Sequence, residues 1–499
     1  MKGHLSKSKY LSGLHCTKRL WLEVHEPQLA APPSAFQKHL FEQGIEVGKF
    51  ARTQFPDGVL INADHRNLQQ AVEQTQVALN DGITTLFEAT FTFEDIYVLV
   101  DVLIKNEHST WDLIEVKSST RIKEEHLHDL AIQRFVLERS GLIMGRTQVM
   151  LVNNQCVFPN LEDFFNIEDV SERVSELMPH IDSNVQALRN IISRPNAPDV
   201  AISDHCKNPY PCPFKDHCWA DVDGQPLVFD IPRLHYDKKE QLREQNIIFL
   251  EDLPDDFPLT EKQQAHVDMT LDGGTNIDGR SIAQVLDELE YPLHFFDFET
   301  YGSAIPIFEG MRPYQQFPFQ FSCHQLEANG TLTHREYLHT ELSDPRPALV
   351  EALCNCLNQP GTIIAYGASF EKNILMQLAE LFPEYAGMLH SFTERLWDQL
   401  NIFNKHYKDA AFGKSTSLKS VLPVLVPDLD YGTLDVQKGD EAQSVWYQMI
   451  QLEPGPEKQA MIEGLSEYCK MDTLAMVKIH EVLQQQSPHP NPLPEGEGA

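Results

Sequence analysis

Three stretches of the chain carry acidic side chains at spacings that suit a divalent cation. In FFDFET, Asp297 and Glu299 stand two apart in a run led by apolar residues. In a strand, period-two geometry sends both carboxylates to one face, where they offer two hard oxygen ligands. AYGASFEKNIL places Glu371 just inside a helix, after an apolar strand and a glycine turn, and LSEYCKMDTLAM sets Tyr468 and Asp472 four apart on one helix face. Carboxylates presented in this order from a strand and two helices suit a two-metal site with Mg²⁺ or Mn²⁺. One ion activates water and the other stabilises a leaving oxygen. Tyr468 is the candidate for orienting that water. Each stretch alone reads as an ordinary polar face; the ordered set points to hydrolysis. Asp398, in RLWDQL, reads as a supporting or structural acid.

A second set lies nearer the N-terminus. DLIEVKSST reads as a strand with Glu115 and Lys117 on one face, and Asp101 lies on the preceding strand, YVLVDVLIK. Two acids and a lysine at the ends of adjacent strands form a one-metal or two-metal hydrolytic arrangement. The carboxylates bind the cation, and the lysine stabilises charge on a phosphate or lowers the pKa of the water. Glu88, one strand earlier, is a further candidate. A Glu-x-Lys pair alone is as often a solvated strand face; Asp101 and the apolar setting tip the reading to function.

Of nine cysteines, Cys156, Cys323, Cys354, Cys356 and Cys469 sit in apolar or helical stretches and read as structural. The other four are Cys16 in YLSGLHCTKRLWL and Cys206, Cys212 and Cys218 in CKNPYPCPFKDHCW. One early thiol and three late ones would close a four-thiolate site that staples the ends of a domain. Thiolates suit an iron–sulfur cluster or zinc, and the spacing favours neither. Lys18 and Arg19, beside Cys16, are equally phosphate contacts or a solvated helix end.

The C-terminal set resembles the DEDD exonucleases of the RNase H-like fold, in the subgroup with tyrosine in its last motif. More narrowly, FFDFET, AYGASFEK, STSLKSVLP and YCKMDT are similar to a bacterial domain of unknown function found fused behind RecB-like nucleases, over about residues 290–482. This implies a 3′–5′ exonuclease-type site with metal held by Asp297, Glu299, Glu371 and Asp472. Glu371 stands where most of those enzymes have aspartate. The N-terminal set resembles the PD-(D/E)XK superfamily, in the branch of RecB-like and CRISPR-associated adaptation nucleases. That resemblance extends to LHDLAIQRFVLERSG, where Gln133 fits the glutamine on the helix after the Glu-x-Lys strand. It implies a site of Asp101, Glu115, Lys117 and Gln133, with Asp101 and Glu115 on the metal. The family's early histidine has no counterpart, and GIEVGKFA offers Gly48 there. One cysteine before and three after the catalytic strands is similar to the staple of RecB-like and AddB-type nucleases. It implies a [4Fe-4S] cluster on Cys16, Cys206, Cys212 and Cys218, with zinc as runner-up.

These residues need elements to hold them. Residues 34–55, 67–80 and 123–140 read as helices, and TTLFEATFTF, IYVLVDVLIK, TWDLIEVKSS and GRTQVMLVNN as strands. They make an α/β domain over residues 1–220, which the resemblance makes a restriction-endonuclease-like mixed sheet flanked by helices. Residues 221–289 read as a helical connector, and its LREQNIIFLEDLPDDFPLT stretch resembles a small nucleic-acid-binding module. Residues 290–486 read as a second α/β domain, by resemblance an RNase H-like mixed sheet with helices. The Pro- and Gly-rich tail, 487–499, reads as disordered.

A chain of 499 residues is long enough for two or three cores. Its longest apolar stretches are far too short to cross a bilayer, and the N-terminus lacks the apolar core of a signal peptide, so a cytoplasmic protein is expected. Free thiols fit that reducing compartment. The net charge of −33 counts against a protein that coats nucleic acid by bulk electrostatics, yet leaves room for a local basic strip such as Lys2, Lys7, Lys9, Lys18 and Arg19. The expectation is a metal-dependent nuclease acting on nucleic acid, DNA in preference to RNA, with no membrane partner; protein partners are not legible. The alternative is a non-catalytic nucleic-acid-binding scaffold in which one or both sites have degenerated.

Overall fold

Strands and helices alternate along the chain into a mixed α/β architecture, seen in a computed structural model that describes residues 5–62 and 67–486. The tail 487–499 lies outside the described residues. The chain divides into two units, Met1–Asp223 with Ser303–Gln315 and Gly224–Gly302 with Gln316–Ala499. Among the described residues, no helix is long and apolar enough to cross a membrane.

The first unit runs β1 (Leu5–Ser6), α1 (Lys7–His15), α2 (Thr17–His25), α3 (Ala35–Arg52), β2 (Val59–Leu60), α4 (Leu68–Asn80), β3 (Thr85–Phe93), β4 (Ile96–Lys105), β5 (Trp111–Lys117), α5 (Glu124–Arg139), β6 (Met144–Val152), β7 (Phe165–Asp169), α6 (Ser171–Ile192) and α7 (Lys215–Cys218). A capping box between Ser34 and Gln37 starts α3, and the Asn67 side chain caps α4. The strands form one mixed sheet in the order β2-β3-β4-β5-β6-β7, with β1 against β4. Strands β3, β4 and β5 are antiparallel, whereas β5 and β6 run parallel. Helix α5 buries Leu127, Leu130, Ala131 and Val136 with Val98, Val100 and Leu113 of the sheet. Burial of this apolar surface is what sets α5 over the strands.

Residues 303–315 also belong to this unit. Ala304 is buried with Val47, Val152 and Phe164, its N–H donates to Gln43 Oε1 at 3.0 Å, and the Tyr314 hydroxyl donates to the Ser118 carbonyl at 2.7 Å. A single boundary near residue 290 therefore does not describe the chain.

The second unit contains α8 (Tyr236–Glu244), α9 (Glu261–Asp272), β8 (Thr275–Ile277), α10 (Gly279–Asp287), β9 (Leu293–Tyr301), β10 (Phe317–Leu326), β11 (Leu332–Leu338), α11 (Arg346–Cys356), β12 (Ile363–Ala365), α12 (Ser369–Leu381), α13 (Ala386–Glu394), β13 (Leu396–Asp398), α14 (Leu400–Lys405), β14 (Tyr407–Asp409), α15 (Leu418–Leu425), α16 (Gly439–Met449) and α17 (Pro456–Gln486). Its sheet has the order β11-β10-β9-β12-β13. Strands β9, β10 and β11 are antiparallel, and β12 and β13 lie parallel to β9. The expected connector is helical but not separate. It contributes β8, which pairs with β14, so backbone hydrogen bonds tie it to the C-terminal half.

Polar pegs fix α17 along the sheet. Gln320 Nε2 donates to the Leu465 carbonyl at 3.0 Å, and the Thr473 hydroxyl lies 2.8 Å from both Ser322 Oγ and His324 Nδ1. Buried hydrogen bonds of this kind specify register, because a slip of one residue would strand every partner.

Candidate active sites and the cysteine cluster

The five residues proposed for the C-terminal site come together around one open cleft of about 390 Å³. Asp297 and Glu299 project from β9, opposite Ser322 and Gln320 of β10. Tyr468 and Asp472 arrive from α17. Glu371 sits in the first turn of α12. The turn before that helix needs Gly367, whose φ of +93° disfavours a side chain. Its N–H donates to Asp398 Oδ1 at 2.9 Å, so Asp398 shapes the turn that delivers Glu371 and is absent from the cleft lining.

Negative charge is concentrated here and only partly offset by the nearby Lys419. Glu299, Glu371 and Asp472 are 6%, 3% and 6% exposed, and among the described residues no salt bridge reaches any of the four acids. Burial, then the charges of Asp472, Glu299 and Glu371, push Asp297 well above the ordinary carboxylate range. Burial and then Asp472 do the same to Glu299. Burial raises Asp472 too, against the opposing pull of Tyr431, Lys419 and Tyr468, and it raises Glu371 to about 7. The Oε2 atom of Glu371 is buried without a hydrogen-bond partner. Such a site is costly as it stands and is relieved by a cation.

Three participants were not anticipated. Lys419 Nζ donates to the Tyr468 hydroxyl oxygen at 3.0 Å, and Tyr431 donates to Asp472 Oδ1 at 2.5 Å. Cys469, expected to be purely structural, brings its sulfur within 4.8 Å of ligand oxygens of Asp297 and Glu299. It follows Tyr468 on the same helix, a position readable once α17 is known to face β9. Lys419 stands in STSLKSVLP, one of the stretches that carry the resemblance, yet nothing local assigns it a role, and nothing local announces Tyr431.

In the first unit, Asp101, Glu115 and Glu88 line a cleft of about 690 Å³, whose other wall includes Gly44, Gly48 and Arg52. A Cβ at Gly48 would meet open space. Glu88 stands with φ +55° and drops out of the β3–β4 ladder between Phe87 and Ala89. Asp101 Oδ2 accepts the Val116 N–H at 2.8 Å.

Lys117 and Gln133 are present but face inward. Lys117 Nζ donates to Glu115 Oε1 at 2.8 Å and Asp129 Oδ2 at 2.7 Å. Gln133 Nε2 donates to Glu115 Oε2 at 2.7 Å and Asp129 Oδ1 at 2.9 Å. A second lysine, Lys7 of α1, reaches Glu115 Oε1 at 2.9 Å. Sequence reasoning missed Asp129 and Lys7, although Asp129 lies one turn before Gln133 on α5. Burial, then Asp101 and Asp129, hold Glu115 near 7 despite both lysines. Burial alone would raise Asp129, but Lys7 and Lys117 bring it well below the ordinary range.

Cys16, Cys206, Cys212 and Cys218 line a single small cavity with His15, His205, Lys18 and Arg19, and none is in a disulfide. Burial opposes ionisation of Cys206, but its hydrogen bond with His205 at 3.6 Å and a neighbouring N–H bring it down to about 7. Cys16 is lowered in the same way, against burial, whereas burial raises Cys212 and Cys218. Cys16 caps α1, the helix whose first residue is Lys7. One nine-residue helix therefore links a cluster thiol to the Glu115 site.

Residues 294–417 match a family described as "Domain of unknown function (DUF2779)". The match holds Asp297, Glu299 and Glu371 and stops before Lys419, Tyr468 and Asp472. A Mycoplasma pneumoniae protein described as "Uncharacterized protein MG366 homolog" is 28% identical over 224 residues, covering 40% of this chain and 33% of that protein. "Uncharacterized protein MG366" of Mycoplasma genitalium is 26% identical over 226 residues, with the same coverage. The chain is thus similar, over about a third of their length, to relatives whose descriptions give no activity.

Proposed function

We propose that this protein is a metal-dependent nuclease that hydrolyses phosphodiester bonds in nucleic acid, DNA foremost. In this reading the second unit is an RNase H-like exonuclease of the DEDD type, and the first a RecB-like PD-(D/E)XK unit stapled by a [4Fe-4S] cluster, zinc being the runner-up. The observation that carries it is the set of four clustered carboxylates, three buried and Asp297 half-buried, all raised in pKa and none in a salt bridge among the described residues. Hard divalent cations are the chemistry such a set takes.

The donor set fits Mg²⁺ or Mn²⁺. Asp297, Glu299, Asp472 and Glu371, the last with an orphaned oxygen, would hold the ions. Bound there, the ions supply Lewis acidity toward phosphate oxygens and an acidified water. The chain's own residues do the rest. The Tyr468 hydroxyl orients the attacking water, and Thr473 holds α17 at the register that aims it.

A second reading has an observation behind it for the first unit alone. Both oxygens of Glu115 are already engaged by Lys7, Lys117 and Gln133, which suits a unit that holds nucleic acid without cutting it. The free thiols favour a reducing compartment, and the cytoplasm is the proposed location.

The test is hydrolysis of end-labelled single- and double-stranded DNA and RNA by the purified chain, with Mg²⁺, Mn²⁺ or chelator. Metal-dependent release of mononucleotides that disappears in Asp297→Asn supports the proposal. Intact substrate throughout, with folded and metal-loaded protein, removes it.

A further inference from the structure

Lys419 is the cation that approaches the C-terminal carboxylates, and its contacts are specific. It is the second residue of α15. Its ammonium donates to the Gln437 carbonyl at 2.6 Å and to the Tyr468 hydroxyl oxygen at 3.0 Å. It also lies 4.8 Å from the Tyr468 ring centroid and 5.1 Å from that of Tyr431, within cation–π range. No carboxylate is in salt-bridge contact with it among the described residues, although its charge opposes the upward shift of Glu299 and Asp472.

An ammonium has protons and no lone pair, so the Tyr468 oxygen must accept from it. The single phenolic proton is then forced away from Lys419, to the side where Asp472 and the open cleft lie. A second cleft of about 510 Å³ has Lys419, Ser415, Thr416 and Ser417 in its wall and shares Asp297, Tyr366 and Asp472 with the first. Lys419 therefore stands at the seam between the two.

We propose that Lys419 is a positioning residue of the C-terminal site that works through Tyr468, fixing the direction in which that hydroxyl donates. This rests on the nuclease reading. A hydroxyl free to rotate spends part of its time pointing its proton at the wrong partner. A hydroxyl gripped by its oxygen donates only away from Lys419, toward the face of the cleft that Asp472 lines.

Two other roles make different predictions. A lysine that binds a substrate phosphate directly acts independently of Tyr468 and governs KM. A lysine that only pillars two aromatic rings governs melting temperature. The experiment is a double-mutant cycle on the hydrolysis that Asp297→Asn abolishes, with Lys419→Met, Tyr468→Phe and their combination. Methionine keeps the length and the ring packing and removes the donors and the charge.

Action through Tyr468 requires that each single variant lose roughly 10–100-fold in kcat, with KM within about twofold of wild type, and that the double variant be no worse than the poorer single. Lys419→Arg, which keeps charge and donors, should recover part of the loss when Tyr468 is present and none in the Tyr468→Phe background; it also serves if the Met variant is insoluble. Losses that multiply, or a KM raised tenfold or more, overturn the inference and assign Lys419 to the phosphate. A lowered melting temperature with kcat unchanged overturns it as well. Absence of metal-dependent hydrolysis in the wild type removes the nuclease reading, and this inference with it. Only in that last case does the wild type itself fail.

Discussion

Replacing Glu371 with glutamine should make the metal-free protein more stable and the enzyme nearly inactive. Glu371 is 3% exposed and its pKa is raised from 4.5 to about 7, chiefly by burial. A shift of that size corresponds to about 3 kcal/mol, at roughly 1.4 kcal/mol per unit. Since the folded pKa lies above the unfolded one, the folded state binds the extra proton. The penalty is absent below about pH 4.5, grows as pH rises and is complete above about 7. Glutamine keeps the shape and cannot ionise. Metal-free Glu371→Gln should therefore match wild type near pH 4.5 and exceed it by up to about 3 kcal/mol at pH 8, roughly 2–4 °C per kcal/mol for a unit of this size. Metal should reverse the order. At roughly a thousandfold excess over its Kd, a cation that binds only the folded state adds about 4.1 kcal/mol to wild type, and the variant should gain much less. Hydrolysis should fall on the order of a hundredfold or more. The measurements are thermal melts at both pH values with chelator and with Mg²⁺, alongside the nuclease assay. The bland alternative is a favourable charge in the first turn of α12, worth about 0.3–1 kcal/mol. Under it the variant is less stable at pH 8 and turns over normally, and that pair of results would refute the reasoning.

Lys117→Ala should abolish hydrolysis by the first unit and spare that of the second, with Asp297→Ala doing the opposite; full activity in the double variant would place the nuclease elsewhere. Anaerobically purified protein should be brown, with about four irons per chain, and Cys16→Ser should lose iron and soluble yield. Stoichiometric zinc without visible absorption would exclude iron, and no metal at all would exclude the staple. Lys7→Met should destabilise the first unit by about 1.5–3 kcal/mol near neutral pH, because it removes one charged donor from Glu115 and Asp129 while Lys117 stays in place. Asp129 has a depressed pKa, so its share of that stability is present above about pH 4 and lost as pH falls toward its folded value. Melts of wild type and variant that stay equally far apart at pH 7 and pH 3 would exclude this linkage.

The sequence alone determined which residues share a face. Period-two geometry paired Asp297 with Glu299, helical periodicity paired Tyr468 with Asp472, and a glycine turn announced the helix that begins near Glu371. Helices over Ala35–Arg52, Leu68–Asn80 and Glu124–Arg139 fell within a few residues of their expected bounds, since caps and apolar spacing are local properties. Local geometry cannot say what a face will meet. Only tertiary packing set α17 against β9 and β10, which brought Cys469 beneath the acids, and only packing delivered Lys419 to a tyrosine 49 positions away. The same holds for Lys7, which crosses 108 positions to share Glu115 with Lys117. Likewise it sent residues 303–315 into the first unit and used β8 of the expected connector to pair with β14. In each case the deciding contacts, apolar burial, ion pairing or strand hydrogen bonds, join residues far apart in sequence and exist only once the chain has folded.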